Sequence, residues 1–157
     1  MKCLSLWQPW ATLVVIGAKK FETRSWPTSH RGWLLIHAAK KRDRESLRDA
    51  IEDVFFSDPL KKAGYADPEM LPFGAIIGMV ALESCRLIHH DNTMGYSSHR
   101  LPDYPERALG NFAPGRFAWE LRDFGRFSRP VPFKGCQGIF DVSEELVADQ
   151  MMRAVQA

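Results

Sequence analysis

The sequence predicts an α+β domain built on a curled sheet or small barrel. Three observations predict it. About six segments read as strands, helices are interspersed among them, and the 157 residues, 45% hydrophobic and 25% charged, suit one compact domain over 1–157. A chain of this length buries about two thirds of its unfolded surface and needs no covalent staples. Cys3, Cys85 and Cys136 agree, being odd in number and far apart with no CxxC spacing. Reduced thiols in a cytoplasmic protein are expected. The start "MKCLSLWQPW" has no signal-peptide core, and no apolar run approaches the length of a membrane span, so neither export nor membrane insertion is expected.

The elements follow in order. "KCLSL" at 2–6 is a short first strand. Pro9 suits the first turn of a helix, where its missing N–H costs nothing, and Gly17 suits the position just past the end. Between them Trp10, Leu13, Val14, Val15 and Ile16 leave no polar face, so this helix should be buried, packed across one opening of the barrel. Residues 20–25 are extended, and "GWLLIHAA" at 32–39 is a continuous apolar strand. Asp43 caps a second helix, with Leu47, Ile51, Val54 and Phe55 at helical spacing on one face.

"SDPLKKAGYADPEMLP" reads as a connector punctuated by Pro and Gly. "GAIIGMVALESCRLI" at 74–88 is the longest strand expected, with Gly78 as a bulge. Residues 89–115 form a long polar loop, which in a compact domain is more often functional than idle. Strands at "RFAWELRDF" and "PFKGCQGIFDV" follow, and Ser143 caps a closing helix with Val147, Met151 and Ala154 on one face.

The chemistry concentrates at "GAKKFETRSW", residues 17–26. Lys20, Glu22 and Arg24 share one face of an extended segment, Phe21 and Thr23 the other. Lys19 lies in the preceding turn, so strand parity does not fix its direction. Two readings stand. A glutamate holding cations in fixed positions is what recognition of phosphate or carboxylate needs; alternatively, this is a solvated edge strand whose lysines block aggregation. "KKRDRE" at 40–45 is half neutralised by its own acids and opens a helix, so it reads as a solvated helix start that can also rim a nucleic-acid groove.

His89, His90 and His99 lack a Cys or carboxylate at ligand spacing, so no metal is expected, and no cofactor motif is present. His37 ends a buried strand, near where a site would open, or is a satisfied core histidine. Trp7, Trp10, Trp26 and Trp33 crowd the N-terminal third. Aromatics beside fixed cations suit single-stranded nucleic acid or isolated nucleotides; the alternative is core packing. Net charge +2 is too small for a dedicated duplex-DNA coat but compatible with a local basic cleft.

Gly17, Lys19, Glu22 and Arg24 spell G-x-K-x-x-E-x-R, the signature of the ASCH (activating signal cointegrator homology) domain family, which this chain resembles over nearly its whole length. "QPWA", "RSW", "HRG", "GWLLIHAAK", "PFGAIIGMVALESC" and "PVPFKGCQGIFDV" share in the resemblance. It implies a PUA-like β-barrel of five to six strands with flanking helices, a cleft between barrel and helices, and binding of RNA or other nucleic acid. A small bacterial branch of the family hydrolyses the acetyl amide of N-acetylated cytidine with a lysine, a threonine and a glutamate, and other relatives cleave RNA. The lysine of that branch falls on Lys19. Its threonine falls on Glu22, leaving the nucleophile absent there; Thr23, one residue along, is expected to face the other side of the strand. The second carboxylate has to come from the long loop, where Glu106 in "DYPERALGNF" is the match.

The expectation is therefore a positively charged cleft for RNA, another nucleic acid or a modified nucleotide, walled by Lys19, Arg24, Trp26, Arg31, His37, Tyr104 and Arg116. The alternative is a hydrolase of RNA or of an acetylated cytidine amide, with Lys19 as base or nucleophile and Glu22 or Glu106 moving protons. The sequence points to no membrane and specifies no protein partner.

Overall fold

The computed structural model describes residues 1–95 and 99–155. Six strands form one mixed sheet curled into a half-barrel. They are β1 (Lys2–Leu6), β2 (Phe21–Arg24), β3 (Gly32–Ala38), β4 (Ala75–Leu87), β7 (Phe117–Pro132) and β8 (Ile139–Asp141). The order is β2-β7-β4-β3-β1-β8, so β2 and β8 are the two edges. β1 runs parallel to β3 and every other pairing in this sheet is antiparallel.

Side-chain alternation on β1 and β3 divides the core. Leu4, Leu6, Leu34 and Ile36 point to one face, where Val14 and Val15 of α1 (Trp10–Val15) pack against them. Cys3 and Leu35 point to the other, under Val147 of α4 (Glu144–Val155). α1 is only six residues long, too short to hold its shape in water. Burial makes it a helix. Leu13, Val14 and Val15 are at most 2% exposed, each gaining about 1.5–3 kcal/mol from leaving water. Leu13 packs not on the sheet but on Leu47, Phe56 and Leu60 of the next two helices, which is why no face of α1 is polar. Gln8 starts the helix, its Oε1 accepting the Thr12 N–H at 3.1 Å while its Nε2 donates to the Pro72 carbonyl. Gly17 ends it at φ +75°, a conformation that favours glycine.

Four expectations need correction. The helix predicted through Phe55 is two helices, α2 (Arg44–Glu52) and α3 (Val54–Lys62). Asp53 divides them, its carboxylate accepting the Phe55 N–H at 2.9 Å as an N-cap. The new helix turns Val54 and Phe55 outward and buries Phe56 and Leu60, and Pro59, read as a connector residue, lies inside it. The longest strand is β7, 16 residues against 13 for β4, because it continues past Gly125 instead of stopping at residue 124. Residues 133–138, read as strand, form a loop before β8. Gly78 does lie at an irregularity, with the β4–β7 register shifting between Ile76 and Gly78.

The 89–115 segment carries short elements. It holds β5 (Thr93–Met94), β6 (His99–Arg100) and a 3-10 turn at Glu106–Leu109. Residues 96–98 lie outside the described part.

Candidate functional site

β2 is an edge strand, so Phe21 and Thr23 turn backbone groups toward no neighbouring strand. Side chains take the place of that strand. The Lys19 ammonium donates to the Phe21 carbonyl. The Phe21 N–H donates to Glu106 Oε1 at 2.9 Å, and the Lys20 N–H reaches the same carboxylate. Arg116 Nη2 donates to the Thr23 carbonyl at 3.0 Å. The edge is closed to further pairing by specific partners, not by solvated lysines.

Lys19 is 1% exposed, with its Nζ 3.5 Å from Glu22 Oε2. Arg24 Nε lies 2.9 Å from Glu22 Oε1, an ion pair off the line of a hydrogen bond, and Arg24 Nη2 donates to the Ser5 carbonyl at 3.2 Å. One carboxylate thus holds two cations in place, leaving the group net positive. It forms the floor of a cleft of about 790 Å³ between β2 and the 136–138 turn. Trp7, Trp10 and Trp26 stand in its walls, with Gly110 and Asn111 packed beside β2. Trp26 is braced edge-on by the buried Trp119 at 4.7 Å, and Trp10 by Phe56 at 5.9 Å. Trp7 is 49% exposed. Trp33 lies elsewhere on the surface, so three of the four N-terminal tryptophans reach the cleft.

Of the residues expected to line this site, Lys19, Glu22, Arg24 and Trp26 come together. The rest do not line it. Glu106 and Arg116 are spent on the β2 edge, as described. Arg31 is exposed and folds back onto the Thr28 and His30 carbonyls. Tyr104 is 69% exposed beside Phe55. His37 lies behind the cleft, in the wall of a second cavity. Thr23, expected to face away, also borders the cleft, its Oγ1 accepting the Asn111 N–H at 3.1 Å. Because β2 is an edge, Lys19 lies along its rim and meets side chains from both faces. A Cβ added at Gly110 would sit 3.0 Å from Phe112 Cε2, 3.2 Å from Lys19 Nζ and 3.4 Å from Thr23 Oγ1, so both polar groups lie packed against Gly110 in the cleft wall.

Gly110, Asn111, Cys136 and Gln137 were missed by sequence reasoning. The available signals were the Gly-Asn pair and the two glycines flanking "CQ", which break a run otherwise read as strand.

His37 Nε2 lies 3.0 Å from the Phe133 carbonyl, which can only accept, so Nε2 carries the proton; Nδ1 then accepts from Ser5 Oγ at 2.9 Å. Burial lowers the His37 pKa from its ordinary 6.5, with the Phe133 carbonyl opposing in part. The unfolded chain therefore takes up this proton at higher pH than the folded one. The contribution is complete above about pH 6.5 and declines as pH falls below it. Urea midpoints at about pH 7 and 5.5 should show that decline in the wild type and a smaller one in His37→Gln. Equal declines would remove His37 as its source.

The ASCH domain model matches residues 4–121. The chain belongs to the ASCH domain family. Activating signal cointegrator 1 of Mus musculus is 39% identical over 83 residues, and that of Homo sapiens 37%. Each match takes in 53% of this ASCH chain but only 14% of the relative, so the chain spans a small part of those proteins' length. The ASCH protein of Zymomonas mobilis matches in structure at TM-score 0.52 and 18% identity, over 94% of this chain and 90% of that one. A point mutant of it matches at TM-score 0.54 and 18% identity, over 94% of each chain. These likenesses show the fold. Among the described residues no helix is long and apolar enough to cross a membrane.

Proposed function

We propose that the cleft binds single-stranded nucleic acid, RNA above all, or a modified nucleotide. The observation that carries this reading is the Lys19–Glu22–Arg24 group, two cations fixed by one buried carboxylate beneath three tryptophans. A fixed Arg24 meets phosphate or a polar base edge without the cost of ordering itself, the buried Lys19 adds positive potential from beneath, and aromatic walls accept a base by stacking. The family's association with RNA supports the same reading. The test is quenching of tryptophan fluorescence by a single-stranded RNA oligomer. A cleft that neutralises two or three phosphates loses roughly tenfold in affinity between 50 and 200 mM salt, at about −0.7 per phosphate. Binding flat in salt would indicate a neutral small ligand instead.

A second reading, hydrolysis of RNA or of an acetylated cytidine amide, is favoured by Thr23 Oγ1 and Lys19 Nζ lying together against Gly110 in the lining of the cleft. Lys19 variants separate the two. In a hydrolase, Lys19→Ala abolishes turnover and leaves most ground-state binding, because a base or nucleophile acts mainly in the transition state. Lys19→Arg is equally inactive, since guanidinium does not deprotonate near neutral pH. In a binder, wild type turns over neither acetylated cytidine nor RNA, Lys19→Ala weakens affinity and Lys19→Arg largely keeps it. Turnover that survives both changes would move the catalytic group away from Lys19.

A further inference from the structure

A second cavity of about 820 Å³ lies on the other side of a ridge from the cleft. The two share Ser5, Trp7, Cys136 and Gln137 as walls. Its charge is one-sided: Lys40 and Lys134 line it and no carboxylate does. Both lysines are exposed, and among the described residues neither has an ion-pair partner. Aromatic rings accompany the charge. The Lys41 ammonium lies 4.7 Å over Trp7, and the Arg42 guanidinium 4.3 Å over Phe73, which lines the cavity.

The ridge is tied together by hydrogen bonds and close packing. Ser5, His37 and the Phe133 carbonyl form a continuous hydrogen-bonded line that ties the 133–138 loop to β1 and β3. Gly135 presses on that line so closely that an added Cβ would meet His37 Nδ1 at 2.5 Å and Ser5 Oγ at 2.6 Å. The two cavities thus lie on either side of a hydrogen-bonded wall, with the exposed Trp7 indole between them.

We infer that the second cavity is a subsite for the neighbouring nucleotide of a single-stranded chain whose first nucleotide occupies the cleft. The inference rests on the nucleic-acid reading above and extends it from one nucleotide to a strand crossing Trp7. Lys40 and Lys134 meet the next phosphates, and Trp7 offers a base at the crossing the ring face opposite Lys41. Exposed lysines without carboxylate partners among the described residues suit a backbone phosphate, which needs charge more than a fixed geometry. Cation and aromatic ring together suit sequence-tolerant binding of a single strand.

The experiment compares cytidine 5′-monophosphate with the single-stranded tetranucleotide of cytidine, on wild type and on the double variant Lys40→Ala/Lys134→Ala. Both positions are exposed, and thermal melting checks that the variant folds. The tetranucleotide should bind wild type about tenfold or more tighter than the mononucleotide. The double variant should lose most of that advantage, with its log–log salt slope falling by about 1.4 for two phosphates. Its affinity for the mononucleotide should be unchanged. Equal binding of the two probes by wild type, or a double variant that binds the tetranucleotide like wild type, overturns the second subsite while leaving the cleft reading intact. Failure of wild type to bind either probe overturns both.

Discussion

Gly78→Ala is expected to lower the melting temperature by about 6–12 °C, from a loss of about 3 kcal/mol in a domain of this size. Gly78 lies where the β4–β7 register shifts, and there β7 swings its Gly125 carbonyl directly over the Gly78 Cα. An added Cβ would collide with that oxygen and sit 2.7 Å from Val15 Cγ1 of α1. The oxygen is backbone in the longest strand, and Val15 is 2% exposed in the core. Neither can swing away as the end of a flexible side chain would, so the strain has to move a strand or the helix. Gly125→Ala is the companion measurement. Its Cβ would meet Ala154 Cβ at 3.3 Å and Met79 Cγ at 3.5 Å, contacts a small shift of α4 relieves. Gly125→Ala should therefore cost clearly less. A Gly78→Ala protein melting within about 2 °C of wild type would mean that the sheet yields at the bulge.

That bulge shows what the sequence made legible. Gly78 was readable because a glycine inside a β-branched run has few other uses. α1 was readable from its Pro and Gly punctuation and its lack of a polar face. The 17–24 stretch was readable because spacing alone places Glu22 and Arg24 on one strand face. What failed was anything that depends on which way a distant side chain points. Glu106 and Arg116 lie more than eighty residues along the chain from β2, and their chemistry suits a cleft as well as it suits the backbone groups they bind. The need they serve arises only because β2 is an edge, a fact of sheet order that local pattern does not carry. The same holds for Thr23: alternation assigns it a face correctly, but on an edge strand the rim belongs to both faces. The break at Asp53 was lost for a simpler reason. Leu47, Ile51, Val54 and Phe55 satisfy the helical period across it, and periodicity cannot detect a cap that restarts a helix with a shifted face.

The remaining prediction concerns the charge at the centre of the site. Glu22→Gln should destabilise the protein by about 3 kcal/mol, the lower end of what breaking a buried ion pair costs. The amide keeps the shape but removes the one carboxylate that, among the described residues, opposes Lys19 and Arg24 in the cleft floor. Arg24, with a side chain 27% exposed, can turn toward water. Lys19 cannot, being 1% exposed beside Gly110, and among the described residues it is left with the neutral Phe21 carbonyl as partner. The cost therefore falls on Lys19, and that makes it separable. In the double variant Lys19→Met/Glu22→Gln the stranded cation is gone, so the loss should be smaller than the sum of the two single losses by about 1–3 kcal/mol. Urea denaturation of the four proteins closes the cycle. Additive losses would mean that Glu22 does not hold Lys19, and the fixed pair of cations on which the nucleic-acid reading depends would reduce to Arg24 alone.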